Sequence, residues 1–237
     1  MRIYFLSDYH IKISVERDLK KEQQLLDFFE NLKKNANILF LVGDFFDIWY
    51  DWNSVIIKEY FLYYWALKDL VKSGCKVIFL SGNHDFLHNG FLEKELGIEV
   101  FSKPYITKLD NKKIFVSHGD IFIKNDFRYY LYKKLMKSRF INKIFSILHP
   151  HLGLTIGRLM SRSSKKNSTN KKLHRWQENF AKEKIEKENF DYIILGHSHQ
   201  KCVKKFEKGV YINLGQYPTY LEMVNGDISL KKIKKDD

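Results

Sequence analysis

Five short apolar runs, each trailed by aspartate, asparagine or histidine, set the pattern of this chain: Ile3–Ser7, Ile38–Val42, Val77–Ser81, Ile114–Ser117 and Tyr192–Leu195. Each is shorter than a helix needs, and most are rich in Ile, Val or Phe, so they read as buried strands. Val210–Leu214 is a further strand, and Tyr220–Val224 and Ile228–Ile233 flank Asn225-Gly226, the strongest short hairpin signal. Lys20–Lys34 and Ser54–Ser73 carry apolar residues at helical spacing, with Gly74 as a C-terminal stop. Strands alternating with helices predict a layered α/β fold.

From Asp126 to about Glu188 the alternation stops and no stretch reads as a strand. The segment is too long for a simple crossover and is expected to form a helical cap inserted over the strand ends. No repeat and no linker rich in Gly, Pro or Ser divides the 237 residues, which are expected to form one domain with its cap at about 124–188. An apolar content of 44% is enough to bury a substantial core.

Charge is unevenly placed. Residues Lys124–Arg175 hold 14 Lys or Arg and a single acid, Asp126, while the rest of the chain has 27 residues of each sign. Such a block usually meets anions: substrate phosphates, nucleic acid or lipid headgroups. The plainer alternative is a solvated lysine-rich face. Cys75 and Cys202 make no disulfide framework, which favours a reducing, cytosolic setting. No run of about 18 apolar residues exists, and Asp8 interrupts the start too early for a signal peptide, so neither spanning nor export is expected.

The residues just beyond each run carry the chemistry. Asp8-Tyr9-His10 comes after the first, Gly43-Asp44 after the second, Gly82-Asn83-His84-Asp85 after the third, His118-Gly119-Asp120 after the fourth and Gly196-His197-Ser198-His199 after the fifth. In an open α/β sheet, ligands bind beyond the carboxyl ends of the strands. Carboxylates, an amide oxygen and imidazoles together suit Mn, Fe, Zn or related divalent ions. Singly these motifs are weak: Asp-x-His is common by chance, and Gly-His-x-His is more often a turn. Five of them in this order, all at strand ends, are hard to obtain by accident.

The order of motifs resembles the calcineurin-like metallophosphoesterase family, over the whole chain outside the cap. That resemblance implies an αββα sandwich with an inserted helical cap. It also implies that Asp8, His10 and His199 hold one metal, that Asn83, His118 and His197 hold a second, and that Asp44 bridges both. A bridging carboxylate lets two dications sit about 3.5–4 Å apart and generate hydroxide at neutral pH. His84 would face the substrate, stabilising the transition state or protonating a leaving oxygen, with Asp85 orienting its ring. The plainer alternative for His84 is a supporting histidine behind the ligands. His88, His149, His151 and His174 match no ligand motif.

The cap narrows the resemblance. Asn125-Asp126, Tyr129, His149-Pro-His-Leu-Gly153 and Met160-Ser-Arg-Ser-Ser-Lys-Lys166 resemble the UDP-2,3-diacylglucosamine diphosphatases of lipid A biosynthesis. Gly43-Asp-Phe-Phe-Asp-Ile-Trp49 and Gly82-Asn-His-Asp-Phe-Leu87 resemble them too, in the branch that keeps histidine at position 84. The resemblance implies hydrolysis of a lipid-linked UDP-sugar at its α-phosphorus, giving UMP and 2,3-diacylglucosamine 1-phosphate. It further implies two Mn²⁺ ions, peripheral contact with the cytoplasmic face of the inner membrane, and no nucleic acid partner. Carried over by motif, the substrate-binding candidates are Asp126, Ser164, Ser168 and Lys171 in the cap, with Asn83, His84 and His197 at the metal edge. Arg162 is a further candidate for a phosphate oxygen. For any one cap position the alternative is a solvated helix connection.

Phe127–Met136 and Phe140–Leu148 interleave aromatic, aliphatic and basic residues. That pattern suits a headgroup interface or an acyl groove lined by Phe127, Tyr130 and Ile144, and equally suits packing of the cap onto the sheets. Trp49, Trp52 and Tyr60–Trp65 are either part of an apolar wall or ordinary helix core. Two other functions compete: a nucleotide or nucleic-acid phosphodiesterase that grips a polyanion with the basic cap, and a non-catalytic scaffold. The second is disfavoured because every ligand position is filled.

Overall fold

The computed structural model describes residues 1–13, 18–52, 54–85, 87–120, 138–165 and 171–233, with backbone alone for 139–142 and 160–165. Two sheets lie face to face between helices. The first has the order β11-β10-β1-β2-β3-β4. Here β1 is Arg2–Leu6, β2 Ile38–Val42, β3 Lys76–Leu80, β4 Glu99–Phe101, β10 Thr219–Val224 and β11 Asp227–Lys232. Strands β1 to β4 run parallel, and the β10–β11 hairpin adds antiparallel to β1. Asn225 and Gly226, at the hairpin tip, both have positive φ, as a type I′ turn requires. The second sheet has the order β5-β6-β7-β9-β8. Its strands are β5 Tyr105–Leu109, β6 Lys112–Ser117, β7 Tyr192–Leu195, β8 Cys202–Lys205 and β9 Val210–Asn213, with β6, β7 and β9 parallel.

Side-chain alternation explains why the runs are apolar throughout. Ile3 and Phe5 of β1, Phe40 and Val42 of β2, and Ile78 and Leu80 of β3 point between the sheets, where they meet Ile114, Val116, Ile194 and Ile212. The intervening Tyr4, Leu6, Leu39, Leu41, Val77 and Phe79 point outward onto helices α1 (Leu19–Leu32) and α2 (Phe61–Lys72). A strand covered on both faces has no position left for a polar residue. Phe5 and Phe40 stack with centroids 4.8 Å apart at the centre of the inter-sheet core, where Phe→Ala would cost about 3–5 kcal/mol.

The region expected as cap contains α3 (Arg139–Ile147), α4 (Pro150–Lys165) and α5 (Lys171–Glu188). These helices are placed differently. Ala181 and Ile185 of α5 pack with Phe115, Ile193, Leu195 and Tyr211, so α5 forms the outer layer of the second sheet. Helices α3 and α4 instead sit on the loop after β2. Trp52 Nε1 donates to the Phe145 carbonyl at 3.1 Å, and Phe145 lies 5.6 Å from the Tyr50 ring. Gly153 and Gly157 let α4 approach closely, since a Cβ there would meet Trp52 Cζ2 at 2.7 Å and Ile48 Cγ2 at 2.6 Å. While that face packs, Ile144, Ile147, Leu152, Ile156 and Leu159 remain exposed, Ile147 by 77%.

Trp49, Tyr60, Tyr63 and Tyr64 are core, whereas Phe61, Leu62 and Trp65 face outward. No helix among the described residues is long and apolar enough to cross a membrane.

Candidate metal centre

The two sheets meet at their carboxyl ends, and polar groups join them there. His118 Nδ1, beyond β6, donates to the carbonyl of Val42 at the end of β2, at 3.0 Å. The backbone N–H of His197, beyond β7, donates to Asp8 Oδ2, beyond β1, at 2.8 Å. On the first sheet the pairing of β1 with β2 continues past the strands: Asp8 N–H donates to Gly43 O, His10 N–H to Asp44 O and Ile11 N–H to Phe45 O. Asp8, His10, Asp44, His197 and His199 all adopt positive φ. Non-glycine residues rarely take this conformation, and it concentrates at sites where a side chain must be aimed.

The side chains converge in overlapping clusters. Asp8, His10 and His199 form one, Asp44, His118 and His197 another, and His10, Asp44 and His84 a third, each with its donor atoms within 4.8 Å of one another. His10 Nε2 lies 3.2 Å from His199 Nε2, which lies 3.1 Å from Asp8 Oδ1. His118 Nε2 lies 3.1 Å from His197 Nδ1, 3.2 Å from Asn83 Oδ1 and 3.4 Å from Asp44 Oδ2. Asp44 stands between the groups, with Oδ2 3.9 Å from both His10 Nε2 and His84 Nε2. Gly82 is required beside it, because any Cβ there would overlap Asp44 Oδ1.

This donor set fits divalent cations. Among the described residues His10 Nδ1 is buried without a hydrogen-bond partner, and Asp8 Oδ1 is buried with the His199 Nε2 contact at 3.1 Å but no well-directed hydrogen bond, a costly state that an ion drawn to the cluster offsets. Electrostatics point the same way. Burial alone would lower the His118 pKa, but the Asp44 carboxylate overrides it and holds the ring up to about 10. Burial and the neighbouring His118 charge push His197 down to about 4. Asp44 is held well below the usual carboxylate range, its burial outweighed by His118, His84 and His10. Positive charge is therefore favoured at the centre of this cluster.

The calcineurin-like phosphoesterase family model matches residues 1–201. The chain belongs to that family. Among curated relatives of this calcineurin-like phosphoesterase, the UDP-2,3-diacylglucosamine hydrolase of Haemophilus ducreyi is 28% identical over 92% of each chain. That of Porphyromonas gingivalis is 27% identical over 84% of this chain and 83% of its own. Solved structures with a similar overall course include an archaeal phosphodiesterase (TM-score 0.47, 15% identity, 98% of this chain and 99% of that one). Vps29 from Entamoeba histolytica in complex with zinc is another (TM-score 0.45, 12% identity, 99% of this chain and 100% of that one).

In this phosphoesterase Asp8, His10, Asp44, Asn83, His118, His197 and His199 all come together, with His84 beside them. Asp85 does not orient the His84 ring. Its two oxygens accept the backbone N–H groups of Gly82, Asp44, Phe45 and Phe46, which fixes the loops carrying Asp44 and Asn83. Burial and the charge of Asp44 push its carboxyl up to about 7, against the Gly82 and Asp44 N–H donors and the His118 charge. The His84 ring is held by the Asp47 carbonyl, 2.9 Å from Nδ1. A buried side chain surrounded by backbone donors serves the loop in place of the ring.

Lys171 opens α5, exposed, one turn before His174, whose Nδ1 is 3.5 Å from Ser198 Oγ. Asp126 and Ser168, with Phe127 and Tyr130, lie outside the described residues, as do the side chains of Arg162 and Ser164.

Sequence reading missed two residues. Asp47 places its carboxylate 3.5 Å from His10 Nδ1. Gln177, fully buried on α5, donates from Nε2 to Gly119 O and Gly196 O and accepts from Asn213 Nδ2 at Oε1. It thereby fastens both histidine-bearing loops of the second sheet. The repeated aspartate in Asp44-Phe-Phe-Asp47 was a usable signal for the first, and none existed for the second.

Proposed function

We propose that this phosphoesterase hydrolyses UDP-2,3-diacylglucosamine at the α-phosphorus, giving UMP and 2,3-diacylglucosamine 1-phosphate. The observation that carries the reading is a complete donor set, with Asp44 shared between clusters, in a chain aligned over most of its length with hydrolases of that substrate. Asp8, His10 and His199 would hold one ion, Asn83, His118 and His197 the other, and Asp44 both. Two divalent ions, taken as Mn²⁺ from the resemblance to the diphosphatases, would supply Lewis-acid charge for the phosphoryl oxygens and acidify the attacking water.

The protein's own groups do the rest. His118 donates Nδ1–H to Val42 O, which leaves Nε2 as the inward donor atom. His84, fixed by Asp47 O with Nε2 directed toward Asp44, stands where it can offset charge on the phosphoryl group. The exposed apolar residues of α3 and α4, on a stretch from Arg139 to Lys165 that contains no acid, support acyl-chain contact and a peripheral seat on an anionic membrane surface. Lys171 and Arg162, with Asp126, Ser164 and Ser168, remain the proposed contacts for the polar part of the substrate. The single domain and its cap at about 124–188 are likewise part of this reading, with α5 serving the sheet as well.

The test is to incubate the purified protein and Mn²⁺ with diacylated UDP-glucosamine and follow UMP. Metal-dependent UMP release is expected, and none in excess chelator. Absence of UMP with metal present would remove the assignment.

A further inference from the structure

His10 is a buried imidazole with an unanswered requirement. Its Nε2 faces the cluster, 3.2 Å from His199 Nε2 and 3.9 Å from Asp8 Oδ1, so an ion held there would take the Nε2 lone pair. The ring proton must then sit on Nδ1, where it needs an acceptor. Nδ1 is buried and, among the described residues, makes no hydrogen bond. The acceptor within reach is Asp47, whose Oδ1 lies 3.5 Å away on a side chain that is itself buried. Backbone pairing puts it there: His10 N–H bonds to Asp44 O, Ile11 N–H to Phe45 O and Asp47 N–H to Ile11 O, so Asp47 is carried alongside His10. The same residue's carbonyl receives the His84 ring.

We infer that Asp47 is the positioning residue of the first metal site, its carboxylate fixing the tautomer and orientation of His10 while its backbone carbonyl independently fixes His84. The inference rests on the metal reading of the Asp8–His10–His199 cluster. A carboxylate behind a ligating histidine raises the basicity of the ligand, and losing such a partner typically weakens metal affinity by about 10- to 100-fold. The His84 hydrogen bond comes from the main chain at 2.9 Å, whereas Asp47 Oδ1 stands 3.9 Å from the same nitrogen, beyond hydrogen-bond range, so side-chain substitution at position 47 leaves that bond in place.

Calorimetric titration of the metal-free protein with Mn²⁺ tests this. Sites are identified by which binding class His199→Ala abolishes and which His118→Ala abolishes. Asp47→Ala should weaken the His199-dependent class by about 10- to 100-fold and leave the His118-dependent class within about twofold. Asp47→Asn, whose amide oxygen still accepts an N–H, should fall between. Equal weakening of both classes, or wild-type affinity in Asp47→Ala, would overturn the role. A wild-type chain that binds no Mn²⁺ would overturn the metal reading itself, and the inference with it.

Discussion

His118 and His197 turn Nε2 and Nδ1 toward each other at 3.1 Å, and their surroundings pull the two proton affinities apart, to about 10 and about 4. With Nδ1–H of His118 given to Val42 O, its second proton occupies the place that an ion needs. Metal binding near pH 7 must therefore expel a proton. Mn²⁺ titrations in buffers of different ionisation heat should show at least about one proton released per chain, since His199, whose burial is outweighed by the Asp8 carboxylate, is also held above the usual imidazole value. Apparent affinity should rise about tenfold per pH unit between 7 and 9, because the proton competes up to about pH 10. Affinity independent of pH over that range would contradict the assignment of His118.

Asp44 and His118 each stand at the meeting point of several donors. Asp44→Ala and His118→Ala should each lower turnover to less than about 1% with saturating metal, the scale of a lost transition-state charge contact. Circular dichroism should remain native, because the inter-sheet core is untouched. Near-native turnover in either variant would sink the two-ion arrangement.

His84→Ala should lower kcat by about 10²- to 10⁴-fold with little change in KM. A sugar 1-phosphate is already a fair leaving group, so the loss is expected from charge stabilisation more than from proton donation. A change confined to KM would make His84 a ground-state contact.

Gln177 joins Gly119 O, Gly196 O and Asn213 from a fully buried position. Gln177→Ala removes the donor to Gly119 O and the acceptor of the Tyr211 hydroxyl, while Asn213 Nδ2 and Gly196 O keep each other; each group so orphaned costs about 1–3 kcal/mol. Urea unfolding should show a loss of at least about 2 kcal/mol, and a loss below about 0.5 kcal/mol would show that the network relaxes freely.

Legibility in the sequence tracked burial. Strands β2 and β7 begin and end with their apolar runs, since a strand covered on both faces is written as an uninterrupted run. The short edge strand Glu99–Phe101 and the second sheet's edges, Tyr105–Leu109 and Cys202–Lys205, left no such trace. An edge strand needs apolar residues on one face at most, and Cys202-Val-Lys-Lys205 has barely that. The metal-type donors were legible because each comes within a few residues of the end of a run. Gln177 and the backbone partners of Asp85 were not, because a contact made through space carries no spacing in the chain, and Asp47 left only its repeat of the aspartate at position 44. The apolar positions of α5 fit packing on either side, so only its contacts with Phe115, Ile193, Leu195 and Tyr211 separate it from the cap.

The measurement that tests the account most directly is a comparison of kcat/KM, by UMP release with saturating Mn²⁺, on UDP-2,3-diacylglucosamine and on UDP-N-acetylglucosamine. Each methylene buried against the apolar residues of α3 and α4 is worth about 0.8 kcal/mol, and binding energy from this remote part can orient the pyrophosphate at the metal centre. The diacylated substrate should be favoured by at least about a hundredfold, a ratio that burial of roughly three to four methylenes already supplies. Equal values on the two sugars would contradict the account and leave a general metal-dependent phosphodiesterase.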